Sequence, residues 1–125
     1  MKSYYNIGLF ILRVGFSALM LTHGIPKFLQ LVQGDFSFGD PLGIGATISF
    51  FLTVFAEFVC SILVLIGYKT RLACIPLIVT MLVAVFVVHL NDPIGSKELG
   101  LVYLLAFTAI ALMGPGKFGL YEIFT

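Results

Sequence analysis

Four apolar runs, at about residues 7–29, 46–67, 72–90 and 99–114, take up most of this 125-residue chain. Each is close to the roughly 20 residues that a helix needs to cross a bilayer. An isolated span in hydrocarbon can satisfy its backbone only as a helix. Stretches such as 75–88 lack the period-2 alternation of a membrane barrel. Composition points the same way: 60% of the residues are hydrophobic, 10% are charged, and the mean hydropathy is +1.12. A soluble domain of this size would have too little polar surface to face water.

The expected fold is therefore all-α, an integral membrane four-helix bundle forming a single membrane domain over residues 1–125. The link between the second and third spans, residues 68–71, is short enough to force antiparallel neighbours, and an up-down bundle follows. Pro76 is expected in the first turn of the third helix, and Pro115 after Gly114 stops the fourth. The one substantial loop, residues 34–45, carries Asp35, Asp40 and Pro41, with Phe36 and Phe38 placed for the interface.

Lys2 before an apolar stretch resembles the start of a secretory signal, but Arg13 would interrupt its apolar region and three more spans follow, so a retained helix is expected. Lys2, Lys69, Arg71 and Lys117 fall on one face, against Lys27 and Lys97 on the other. That bias puts both termini in the cytoplasm of a multi-pass inner-membrane protein. The lipid bilayer is its first partner. A net charge of +1 gives no reason to expect nucleic acid.

The informative residues are the ionisable ones inside the runs. A bare guanidinium in hydrocarbon costs from about 2.5 to well over 10 kcal/mol, so Arg13 requires a partner within the protein. Glu57 lies at a comparable estimated depth, and the expectation is an Arg13–Glu57 ion pair between the first two helices. Thr53, Glu57 and Ser61 make an i, i+4 stripe with Cys60 beside it, which would face Arg13 and Ser17. A second polar group gathers at the opposite ends: His23 and Lys27, then His89, Asp92, and Glu98 at the expected opening of helix four. Pro26 leaves the Thr22 carbonyl without its helical donor, which a hydrated vestibule would satisfy.

Arg13, His23-Gly24-x-x-Lys27, Glu57, Gly67-x-x-Thr70-Arg71, His89 and Gly114-Pro115-Gly116-Lys117 occur in this order from about Leu9 to Lys117. Together they resemble the pattern of the DoxX family of small four-helix membrane proteins. The tail departs from it, reading Phe118-Gly119-Leu120-Tyr121-Glu122 where the family usually has a small residue and an aspartate. The resemblance implies a membrane subunit of a quinone-linked oxidoreductase, thiosulfate-oxidising systems included, or a partner in an oxidative-stress complex. A family likeness does not by itself assign chemistry, which has to be argued from the site.

A quinone site needs an apolar slot, polar groups for two carbonyls, and a source of protons. His23, His89 and Glu98 are the candidate proton-handling groups, with Lys27, Glu57 and Arg13 as candidate substrate contacts. The plainer alternative makes Arg13 and Glu57 a structural staple and leaves the outer residues as interfacial side chains. Haem ligation by His23 and His89 is disfavoured, because an up-down bundle sets helices one and three diagonally. No C-x-x-C-H, thiolate cluster or dinucleotide fingerprint occurs, so no covalent cofactor or metal is expected. Electron transfer would then need quinone or a partner oxidoreductase, soluble or membrane-bound.

Cys60 and Cys74 read as reduced packing residues, and Tyr4, Tyr5, Phe28, Tyr68 and Tyr121 as interfacial aromatics. Two further classes stay open. A small solute or ion carrier would also hold charges inside the bundle, although no broken-helix pair is visible. A non-catalytic scaffold would use those charges to set helix register. Gly8, Gly15 and Ala18 would permit close packing within the bundle or with a second copy in a homo-oligomer.

Overall fold

The computed structural model describes residues 2–118, with side chains from residue 4 onward. The anchor expected at Lys2, the interfacial Tyr121 and the divergent tail from Gly119 lie outside the described side chains. Four helices are present: α1 (Lys2–Val32), α2 (Ala46–Ile66), α3 (Thr70–Val88) and α4 (Ile94–Met113). All four are long and apolar enough to cross a membrane, and the described residues contain no strand. Each helix packs against its neighbours in the chain, and α1 closes the ring against α4. The expected bundle of four membrane-crossing helices is what the chain forms.

The boundaries differ in ways that matter for the site. α1 is about 46 Å long at 1.5 Å per residue, well beyond the roughly 30 Å hydrocarbon layer, and it runs through Pro26. α4 begins at Ile94, five residues ahead of expectation, because Pro93 in extended geometry supplies its N-cap position. α3 starts at Thr70, so Pro76 sits in its second turn rather than the first and removes a backbone donor from within the helix.

Two helices also widen locally. Inside α2 the segment Phe55–Cys60 is a π-helical turn, and α3 closes on another, Ala84–Val88, where the His89 N–H donates to the Ala84 carbonyl at 3.0 Å. A π-turn spends one extra residue and so rotates the face presented by everything after it.

The α2 end is a Schellman turn. Gly67 takes the left-handed conformation (φ 75°), its N–H donates to Val64 O at 3.1 Å, and the Tyr68 N–H donates to Leu63 O at 3.0 Å. At the other end of α2, the Asp40 carboxylate accepts from the N–H groups of Ile44 and Gly45 at 3.0 and 2.9 Å and from Ser49 Oγ at 3.1 Å. An acidic group at a helix N-terminus is favoured by the dipole. Asp35 organises the loop by accepting the Ser37 N–H at 3.0 Å; the Ser37 side chain first, and then this N–H, lower its pKa below the ordinary carboxyl value. Phe36 and Phe38 fold back on α2, with ring centroids 5.8 Å from Phe51 and 5.3 Å from Phe50 respectively.

The core runs through Met20, Val64, Leu77, Tyr103, Phe107 and Ile110, with Cys60 and Cys74 buried in it as free thiols. Phe28, near the end of α1, stacks on Phe58 at 4.2 Å between α1 and α2. Close approach of α1 to α2 occurs at Gly24, where an added Cβ would strike the backbone carbonyl of Glu57. Gly8 and Gly15 have nothing within 4 Å of that position, so the tight helix contact is made elsewhere than at these small residues.

The contact at Gly24 generates a measurable contrast. Gly24→Ala should lower stability in detergent by about 1–3 kcal/mol, the usual cost of overpacking, because the obstacle is backbone. Gly15→Ala should stay within about 1 kcal/mol of the parent. Thermal unfolding of both variants, followed by circular dichroism, checks the pair; equal losses would rule out the close approach.

Candidate functional site

Arg13 is 1% exposed, and its guanidinium reaches four backbone carbonyls. It donates to Val64 O at 2.8 Å and to Leu65 O in the last turn of α2, and to Pro115 O at 3.2 Å and Phe118 O at 3.3 Å just beyond α4. Carbonyls at a helix C-terminus have no intrahelical donors. Each such terminus also carries about half an elementary negative charge. One cation thus serves the last turn of α2, where Val64 O also accepts the Gly67 N–H, and two backbone carbonyls just past the end of α4. Arg71 supplements it at α4, with Nη2 3.5 Å from Leu112 O and the guanidinium lying against Gly114.

The Arg13–Glu57 pair expected from depth does not form. Val64 lies seven residues beyond Glu57, about 10 Å along α2, and that is the level Arg13 reaches. The estimate failed because α1 begins at Lys2 and because backbone carbonyls, invisible to a search for acidic partners, supply the acceptors.

Glu57 pairs instead with Lys27, one turn beyond Gly24. Its carboxylate is buried within the π-helical turn of α2, while the Lys27 side chain remains 29% exposed. The segment His23-Gly24-x-x-Lys27 is explained by this geometry. Gly24 lets the α1 backbone settle on the Glu57 peptide, Lys27 then meets its carboxylate, and His23 projects beside them. Ser17 and Ser61 are fully buried with no hydrogen-bond partner among the described residues, so the two polar stripes do not bond to each other there.

Above the pair lies a cavity of about 280 Å³, near the lower end of the roughly 300–1,000 Å³ typical of small-molecule sites. Its polar lining includes His23, Lys27, Glu57, His89, Lys97 and Tyr103, and Met20, Met81 and Val85 form apolar wall. Both histidines expected at this end therefore share one space. His89 is anchored by Asp92, with Nδ1 to Oδ2 at 2.7 Å. Lys97 Nζ donates to Leu90 O at 3.2 Å.

Glu98 is a correction. It is exposed and outside the cavity lining. Because α4 starts at Ile94, the face toward the cavity carries Ser96, Gly100 and Tyr103, and a residue two positions from Ser96 points about 200° away.

Tyr103 was missed in the sequence. It is 4% exposed, and its ring meets His23 edge-on at 5.8 Å, Phe16 edge-on at 6.2 Å and Phe107 stacked at 6.1 Å. The available signal was a lone tyrosine in the middle of an apolar run, away from the span ends where such rings form belts.

A small membrane bundle that closes around a paired internal charge beside a polar cavity is the class these features define. The chain belongs to the DoxX family, whose sequence model matches residues 8–90. The match ends before α4, so Lys97 and Tyr103 lie outside it. A Bacillus subtilis (strain 168) protein named "Putative oxidoreductase CatD" is 28% identical over 115 residues, covering 91% of this chain and 84% of that protein. An uncharacterised Haemophilus influenzae protein is 31% identical over 127 residues, covering 93% of this chain and 90% of its own length. No solved structure matches the chain significantly.

Two double-mutant cycles separate the interactions. Lys27→Met with Glu57→Leu should show a coupling of about 1–2 kcal/mol, because either single change strands its partner's charge. Arg13→Leu with Glu57→Leu should be additive to within about 0.5 kcal/mol. Unfolding in detergent measures both cycles, and strong coupling in the second would restore the discarded pair.

Proposed function

We propose that this protein is a membrane subunit of a quinone-linked redox system, taking a quinone ring into the cavity beside the Lys27–Glu57 pair. The observation that carries the reading is the convergence of His23, Lys27, His89 and Tyr103 on one small space with apolar walls. The family membership and the oxidoreductase name of one relative support it. The donor set fits the group: ring nitrogens, a phenol and an ammonium can all donate to carbonyl oxygens.

A bound quinone would accept two electrons and two protons, the electrons coming from a partner oxidoreductase. The residues of this chain would hold and deliver the protons. Tyr103 and His23, in edge contact, orient donors inward from α4 and α1. Lys27 is paired with Glu57 and fixes one polar corner. Asp92 binds Nδ1 of His89, which leaves Nε2 as the nitrogen available to a ligand. With the bundle up-down and both termini cytoplasmic, as the loop charges favour, this end faces the outer side of the inner membrane and protons exchange there.

Protein purified from its native membrane should carry extractable quinone. Tyr103→Leu and His23→Leu should each lower the quinone-to-protein ratio at least about fivefold, as expected when a buried polar contact worth about 1 kcal/mol or more is lost. Solvent extraction followed by chromatography reads the ratio. An equal ratio in parent and variants would reject the site, and a proteoliposome solute flux dependent on His23 would favour a carrier.

A further inference from the structure

At the opposite end of the bundle from the proposed quinone site is a second cavity, about 290 Å³, lined by Lys69, Thr70, Arg71, Leu72 and Pro115. No carboxylate is among its lining residues within the described part of the chain. Two cations border it. α3 starts here, so the amides of Thr70, Arg71 and Leu72 have no intrahelical acceptors; the first intrahelical bond runs from the Ala73 N–H to Lys69 O at 2.9 Å. Independently of that helix end, Thr70 is 1% exposed, and its hydroxyl has no hydrogen-bond partner among the described residues. A buried hydroxyl without a partner is an unmet donor in a lining already rich in donors. The two side-chain charges and the free α3 amides of the lining call for an acceptor carrying negative charge.

We infer that this cavity binds the phosphate group of an anionic phospholipid. A phosphate diester offers acceptor oxygens to Thr70 and the α3 amides while its charge is met by Lys69 and Arg71. Position argues for a lipid over free phosphate. Residues 67–69 are the whole link between two membrane-crossing helices, which sets the cavity at the bilayer surface. Directly beyond it, Leu72, Ile75 and Val79 are 64%, 53% and 51% exposed and line one face of α3, a path for an acyl chain. Basic pockets of this kind between membrane helices recognise lipid headgroups. Arg71 also caps α4, so an occupied site would brace the same turn that Arg13 holds from within.

Native mass spectrometry of the detergent-purified protein tests this, with phosphatidylglycerol and phosphatidylcholine of identical acyl chains added in separate titrations and inorganic phosphate as competitor. Phosphatidylglycerol should be retained at least about tenfold more strongly than phosphatidylcholine. Lys69→Gln should weaken its retention by about fivefold, the value of one cation near a headgroup, and Thr70→Val should weaken it further. Both changes leave Arg71 and its cap in place, and a melting temperature unchanged without added lipid verifies folding. Equal retention of the two lipids, or retention unaffected in the Lys69→Gln/Thr70→Val double variant, would overturn the site. Displacement of phosphatidylglycerol by millimolar inorganic phosphate would overturn the lipid assignment in favour of soluble phosphate.

Discussion

The interior of this bundle is organised by a mutual need. A guanidinium cannot remain bare inside an apolar bundle, and the carbonyls that end a membrane helix have no intrahelical donors. Arg13 meets both needs at the end of α2, and it also bonds the backbone just past α4. The α2 C-terminus supplies about half a negative charge, and the carbonyl dipoles past α4 add to it, so the guanidinium is met by backbone. The glycine turns at Gly67 and Gly114 follow from this arrangement. Both adopt positive φ, and they end their helices where the carbonyls can point at a side chain from α1. Gly116 belongs to the same cluster, because a Cβ there would press on Leu9 of α1.

With Arg13 occupied in this way, Glu57 is available to Lys27 nearer the other end. That division gives the bundle two polar sites with different characters. The Arg13 site is closed, and among the described residues its hydrogen bonds go to backbone, which suits a staple. The Lys27 site is partly open, and its charges border a cavity that also holds titratable rings. The π-helical turn over Phe55–Cys60 connects the two, since it sets the Glu57 face relative to the α2 terminus. Gly24 holds α1 against that turn. A chain of named contacts therefore runs from the helix ends to the proposed quinone site.

Much of this was legible in the residues. The four spans, the turn at Gly67, the stop at Gly114 and the grouping of His23, Lys27 and His89 at one end all came from hydropathy and spacing. Three things did not. The partner of Arg13 was misassigned because backbone acceptors carry no sequence signature. Glu98 was placed in the site because a polar, loop-like start concealed five residues of helix, and an error of two positions in a helix turns a side chain about 200°. Tyr103 was passed over because in an apolar run one aromatic residue resembles core packing until its neighbours are known.

The sequence alone determined that the chain must form membrane-crossing helices and must satisfy a buried cation, because the cost of bare polar groups in hydrocarbon permits nothing else. Which groups satisfy one another was decided by tertiary structure. Helix rotation, the extra residue in each π-helical turn, and the close approach at Gly24 set the faces that meet. Those depend on side-chain volumes from all four helices packed together, and no single helix encodes them.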